Sequence, residues 1–147
     1  MKKLLRQKVN FDVLEGFLST LLRFEVKIHS LLESESNPET SSDKNNKLDI
    51  LCEDRNKRLI FIEVQYLRQI DFFHRILFGA SKLLTNYMEK GEKYEKLRKV
   101  YSINILYFDL GQGKDYIYHG RTQFNGIYQQ DKLSLSRHQR NYFGYED

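Results

Sequence analysis

One run of nine residues limits most strongly what this chain can fold into. Arg58-Leu-Ile-Phe-Ile-Glu-Val-Gln-Tyr66 is dense in β-branched and aromatic side chains. A run of that kind reads as a strand with apolar residues on both faces, which needs a covering layer on each side. It therefore predicts a central strand in a sheet flanked by helices. Two residues break its apolar character, Glu63 and Gln65. They stand two apart, so they share one face of the strand while Ile62, Val64 and Tyr66 face the other. Polar groups in such a strand must be satisfied or put to use.

A second strand precedes it. Lys47-Leu-Asp-Ile-Leu-Cys-Glu53 is joined to the run by Asp54-Arg55-Asn56-Lys57, a polar connector of hairpin length. Closing the hairpin over that connector brings Asp49 opposite the Glu63 region, so that two carboxylates and an amide converge. Hard divalent cations take oxygen ligands, typically one or two carboxylates plus waters and substrate phosphate. The plainer alternative is that Asp49 ends a strand and Glu63 pairs with a nearby Arg or Lys.

The remaining elements follow from periodicity. Phe11, Leu14, Phe17, Leu18, Leu21 and Leu22 recur at helical steps and predict a helix from Asn10 to about Arg23. Phe24 to Leu32 reads as extended. Glu33 to Asn46 holds the only proline and almost nothing apolar, and reads as a loop. Ile70, Phe73, Leu77, Ala80, Leu84 and Tyr87 predict a long helix over Gln69–Lys90 with those residues as its apolar face, and Gly91 as its stop. Lys99 to Asp109 returns to strand character, and Gly111-Gln112-Gly113 turns the chain. Asp115 to Phe124 and Leu133 to Phe143 read as further strands. The fold class expected is α/β, a mixed central sheet flanked by helices. At 147 residues with no shift in composition, the chain reads as a single domain over 1–147, with a loop at 33–46 and a divergent tail at about 133–147.

Composition removes several function classes. The lone cysteine, Cys52, excludes an internal disulfide framework or a Cys-rich zinc site, and suits a reducing cytoplasm. No apolar stretch approaches the ~18 residues of a membrane span. His29, His74, His119 and His138 lack metal-ligand spacing, and no Ser or Cys nucleophile motif is present. A net charge of +4 permits a polyanionic partner without requiring one.

Larger segments add to this reading. Leu48-Asp49-Ile50-Leu51, the polar turn, and Phe61-Ile62-Glu63-Val64-Gln65 resemble the metal-binding hairpin of the PD-(D/E)XK nuclease superfamily. Asp71-Phe72-Phe73-His74-Arg75, Ala80-Ser81-Lys82-Leu83, Lys90-Gly91-Glu92-Lys93-Tyr94 and Ser102-Ile103-Asn104-Ile105-Leu106 resemble, within it, the Rpn family of recombination-promoting nucleases and transposases. The resemblance spans roughly Val13 to Tyr118. It implies a restriction-endonuclease-like core and a metal-dependent DNA endonuclease. Asp49 matches the metal-binding aspartate, Glu63 the second acid, and Gln65 the place of the usual lysine. Asp49 and Glu63, with the backbone carbonyl of Val64, would hold Mg²⁺ or Mn²⁺. Gln at that position is the pattern of this family, although an amide carries no positive charge.

The resemblance also implies secondary roles. Glu15 occupies the helix where many superfamily nucleases place an extra carboxylate; a solvated helix-face acid is the alternative. Arg75 and Lys82 fall on one face of the long helix and are candidates for DNA phosphate contacts, with a solvated helix face as the alternative for Lys82. Lys2, Lys3, Arg6 and Lys8 form a basic N-terminal arm. Met1 to Asp12 stands where family members usually have a longer segment, and the match fades after Tyr118. The chain accordingly reads as a shortened member, with a homodimer covering apolar surface as its expected assembly. Two other classes stay open: a catalytically inactive remnant that at most binds DNA, and a non-enzymatic interaction domain.

Overall fold

The computed structural model describes residues 11–32, 47–133 and 143–144. The loop expected at 33–46, the basic arm and most of the tail lie outside the described residues. Helix α1 spans Phe11–Leu22, followed by strands β1 (Ile28–Leu32), β2 (Lys47–Asp54) and β3 (Leu59–Gln65). Helix α2 (Phe72–Asn86) and a single 3₁₀ turn (Tyr94–Lys96) lead to β4 (Val100–Leu106). Four two-residue strands complete the described chain: β5 (His119–Gly120), β6 (Phe124–Asn125), β7 (Lys132–Leu133) and β8 (Phe143–Gly144).

The main sheet runs β1-β2-β3-β4-β8-β5, and β6 and β7 form a separate ribbon. β1, β2 and β3 are antiparallel neighbours, whereas β3 and β4 are parallel and joined through α2. A parallel pair needs such a crossover, because a tight turn only reverses the chain. β3 is central, as its composition predicts, and six of its seven residues are buried.

The hairpin closes as its polar connector suggests. Asp54 Oδ1 accepts hydrogen bonds from the amides of Asn56 and Arg58 at 2.9 and 2.8 Å. Lys57 turns through a φ of 64°, and the Arg58 guanidinium pairs with the buried Asp54 carboxylate. A side chain that satisfies turn amides fixes loop length, and loop length fixes register.

That register sorts the side chains. Ile50, Cys52, Ile60, Ile62, Val64, Tyr101 and Ile103 share one face with Leu14 and Leu18 of α1. Leu14 and Leu18 are fully buried, and burying a leucine contributes about 1.5–3 kcal/mol. The opposite face carries Leu51, Leu59 and Val100 under Leu83, Leu84 and Tyr87, at the C-terminal end of α2. The helices thus cover opposite faces of the sheet.

Three expectations are corrected. Helix α2 ends at Asn86, capped through Tyr87, rather than at Gly91. Of the apolar face expected for it, Ala80, Leu84 and Tyr87 pack inward beside Phe72, Arg75 and Leu83, whereas Ile70, Phe73 and Leu77 are exposed. Periodicity followed the bulkiest residues, but this helix lies on a face that bears charge, so its inward side mixes a cation and a small residue with apolar ones. The strand expected over Asp115–Phe124 exists only as His119–Gly120, with Phe124 beginning β6. Before it the chain turns at Gly111 and Gly113, at φ of 76° and 83°, where a side chain is disfavoured. The Tyr118 hydroxyl closes that turn by accepting a 2.7 Å hydrogen bond from the Asp115 amide.

Candidate active site

The pairing of three strands draws one row of side chains across the sheet. Asp49 of β2 stands opposite Glu63 of β3, and Glu63 stands beside Asn104 of β4. The next row carries Gln65 beside Leu106. Both rows belong to the face that α2 covers. Directly opposed residues on one face have Cβ atoms about 4.5–5.5 Å apart, and like charges there repel. The local sequence accepts that cost because the flanking positions, Ile50, Ile62 and Val64, send apolar side chains to the α1 core.

Helix α2 brings a cation to the row. Arg75, on its first turn, places Nη2 3.6 Å from Glu63 Oε1 and also hydrogen-bonds Gln69 Oε1. Arg75 is half-buried and Glu63 is buried, so little water screens the pair. Lys82 is half-buried two turns further along the same helix.

Two amide side chains complete the surroundings. Gln65 is buried, and its Nε2 donates to the Leu67 carbonyl at 3.1 Å. Asn104 Nδ2 donates to Ser102 Oγ at 3.1 Å. The carbonyl oxygens of both amides, Gln65 Oε1 and Asn104 Oδ1, are buried without a hydrogen-bond partner. An acceptor left that way costs about 1–3 kcal/mol, so folds retain few of them. Here two such oxygens lie on the face that carries an acidic pair.

The model of the PD-(D/E)XK nuclease family transposases matches residues 1–134. The chain belongs to that family. The match extends to both sides of the Val13–Tyr118 stretch that carries the sequence motifs, taking in Met1 to Asp12. The mixed sheet with a helix on each face agrees with a PD-(D/E)XK-like core. No curated protein and no solved structure matches the chain.

In this PD-(D/E)XK family member the residues singled out in the sequence separate into two groups. Asp49 stands opposite Glu63, Arg75 reaches Glu63, and Gln65 lies two residues on along the same face. Val64 sends its side chain into the α1 core, which leaves only its backbone carbonyl for the site. Glu15 is placed elsewhere: its carboxylate accepts hydrogen bonds from the Ile28 amide at 2.8 Å and from Lys27 Nζ at 3.0 Å. Burial alone would raise its pKa, but those two donors hold it below the usual carboxylate value. Glu15 thus ties α1 to the start of β1. Asn104 carries no site signal in the sequence, because its place depends on how β4 registers with β3, which no local pattern encodes.

Among the described residues no three His, Cys, Asp or Glu side chains cluster closely enough to hold a metal. The row instead carries two carboxylates with amide oxygens near them. Among the same residues no helix is long and apolar enough to cross a membrane.

Proposed function

We propose that this chain is a metal-dependent endonuclease that hydrolyses phosphodiester bonds in DNA. The observation that carries the reading is the register that sets Asp49 directly opposite Glu63, with Gln65 two residues on. Family membership supports nuclease chemistry, and the residues fit a hard divalent cation. Two adjacent carboxylates repel until a cation relieves them, and buried oxygens without donors are the ligand type that Mg²⁺ and Mn²⁺ prefer.

Asp49 and Glu63 would hold the ion with the Val64 carbonyl. Bound there, it supplies a lowered water pKa and neutralisation of charge on a phosphodiester. Gln65 orients the attacking water or a phosphate oxygen through its amide. It cannot stabilise negative charge as a lysine would, so cationic stabilisation falls to the ion and to Arg75. Arg75 balances Glu63 and offers a guanidinium to a phosphate. Lys82, on the same helix, extends the contact along the DNA backbone.

Plasmid nicking with Mg²⁺ or Mn²⁺ tests the reading. Wild type should nick, Glu63→Ala should not, and Gln65→Ala should nick about 10- to 1,000-fold more slowly, on the scale of one lost orienting donor. Equal nicking by wild type and Glu63→Ala would overturn the assignment. No nicking by any of them, despite metal binding, would favour an inactive family member.

A further inference from the structure

The row that holds Asp49 and Glu63 does not end at β3. It continues onto β4, where Asn104 pairs in register with Glu63. We infer that Asn104 is a further ligand-bearing residue of this site, and that its side-chain carbonyl is an oxygen donor to the divalent cation held by the acidic pair. The inference rests on the metal-dependent reading above and extends the donor set to a third strand.

Three observations lead to it. Position comes first: β3 and β4 are parallel, and cross-strand neighbours on one face bring their side chains within reach of each other. Residues 102, 104 and 106 share the face of Glu63, while Tyr101, Ile103 and Ile105 pack toward α1. The second is orientation. Asn104 Nδ2 is held by Ser102 Oγ at 3.1 Å, and Ser102 is itself buried. One end of the amide is therefore anchored along β4, which leaves the oxygen as its free end. The third is the oxygen itself, buried without a hydrogen-bond partner.

A neutral amide oxygen next to Glu63, in the row that runs on to Asp49, gains nothing from those carboxylates, and Arg75 is drawn to Glu63. The amide oxygen cannot accept from a carboxylate, and it adds to the negative potential. With a divalent ion present the same atom becomes favourable, because it completes an oxygen shell without adding repulsive charge. Ser102 then acts as the group that orients the ligand. Such outer partners typically change metal affinity by about 10- to 100-fold when removed. A merely structural Asn104 predicts something different. Its loss would lower stability by the same amount with and without metal.

The test is a Mn²⁺ titration of the whole chain without DNA, reading free Mn²⁺ by electron paramagnetic resonance. Wild type, Asn104→Leu, Asn104→Asp and Asp49→Ala are compared. Asn104→Leu keeps the approximate shape and removes the oxygen; it should weaken Mn²⁺ binding about 10-fold or more. Asn104→Asp restores an oxygen and should bind at least as tightly as wild type, while melting lower in EDTA from the added charge. Ser102→Ala should weaken binding less than Asn104→Leu. If Asn104→Leu does not fold, Asn104→Ser replaces it, with a shorter side chain that cannot reach as far and the same expected loss. Wild-type affinity in the Leu or Ser variant, with Asp49→Ala still deficient, would overturn the role of Asn104 and leave the acidic pair intact. Loss of binding in both Asn104→Leu and Asn104→Asp would also overturn it. No Mn²⁺ binding by wild type would overturn the metal-dependent reading itself.

Discussion

Arg75 Nη2 lies 3.6 Å from Glu63 Oε1, across the gap between α2 and the sheet. This contact explains how a buried glutamate persists opposite Asp49. The guanidinium supplies the opposite charge that the sheet cannot, and the helix supplies the guanidinium.

Replacing Arg75 by Met should therefore destabilise the ion-free protein. Breaking a buried ion pair costs about 3–5 kcal/mol, and the partial exposure of Arg75 places this loss at or below the lower end of that range. Because the variant relies more on an external cation, Mn²⁺ should raise its melting temperature by more than it raises that of wild type. Thermal melts in EDTA and in millimolar Mn²⁺ check this. An equal rise in both proteins would show that Arg75 does not balance the acidic pair.

A separate ion network locks the other end of the hairpin. Glu53 accepts from Arg98 Nη2 at 2.5 Å and from Lys57 Nζ at 3.3 Å. Burial by itself would raise the Glu53 pKa, but the two cations hold it below the ordinary value of 4.5. A carboxylate with a depressed folded pKa stabilises the fold above its unfolded pKa, and that contribution is lost as pH falls through the folded value. Glu53→Gln should cost about 1.5–3 kcal/mol at pH 7, the scale of hydrogen bonds to charged groups. The gap between the two proteins should narrow as pH drops below 4.5. Denaturant melts at pH 7 and pH 3.5 measure it. A gap that stays constant over that range would contradict the network.

Cys52 offers a check on the α1 side of the sheet. Burial, with a further push from Asp54, raises its thiol to about 12. The thiolate is the reactive form, so a thiol reagent at pH 8 should label the folded protein far more slowly than the denatured chain. Comparable labelling rates for both would place Cys52 outside the core.

The hairpin was legible in the sequence because its signals are local. The polar connector 54–57 sets loop length, and the alternation Leu48-Asp49-Ile50 against Ile62-Glu63-Val64 leaves one register in which the apolar residues share a face. The central place of β3 was legible for the same reason, since a strand apolar on both faces has few other homes. The inward side of α2 was legible only in its second half, at Ala80, Leu84 and Tyr87. Ile70, Phe73 and Leu77 belong to the same periodic set, yet they are exposed, while Arg75 reaches the sheet. A helix that covers a charged row selects its inward residues by charge and size, and hydrophobic periodicity does not record that. Asn104 was hidden for a different reason. Its meaning arises only from the parallel pairing of β3 with β4, two strands separated by α2.

The central claim is that Asp49 and Glu63 form one cation site. Anomalous diffraction from crystals soaked in MnCl₂ tests it most directly, because Mn²⁺ reports its own position. The account predicts one strong peak within coordination distance of carboxylate oxygens from both Asp49 and Glu63, absent from crystals of Asp49→Ala. A peak bound elsewhere, or no peak at this pair under saturating Mn²⁺, would contradict it.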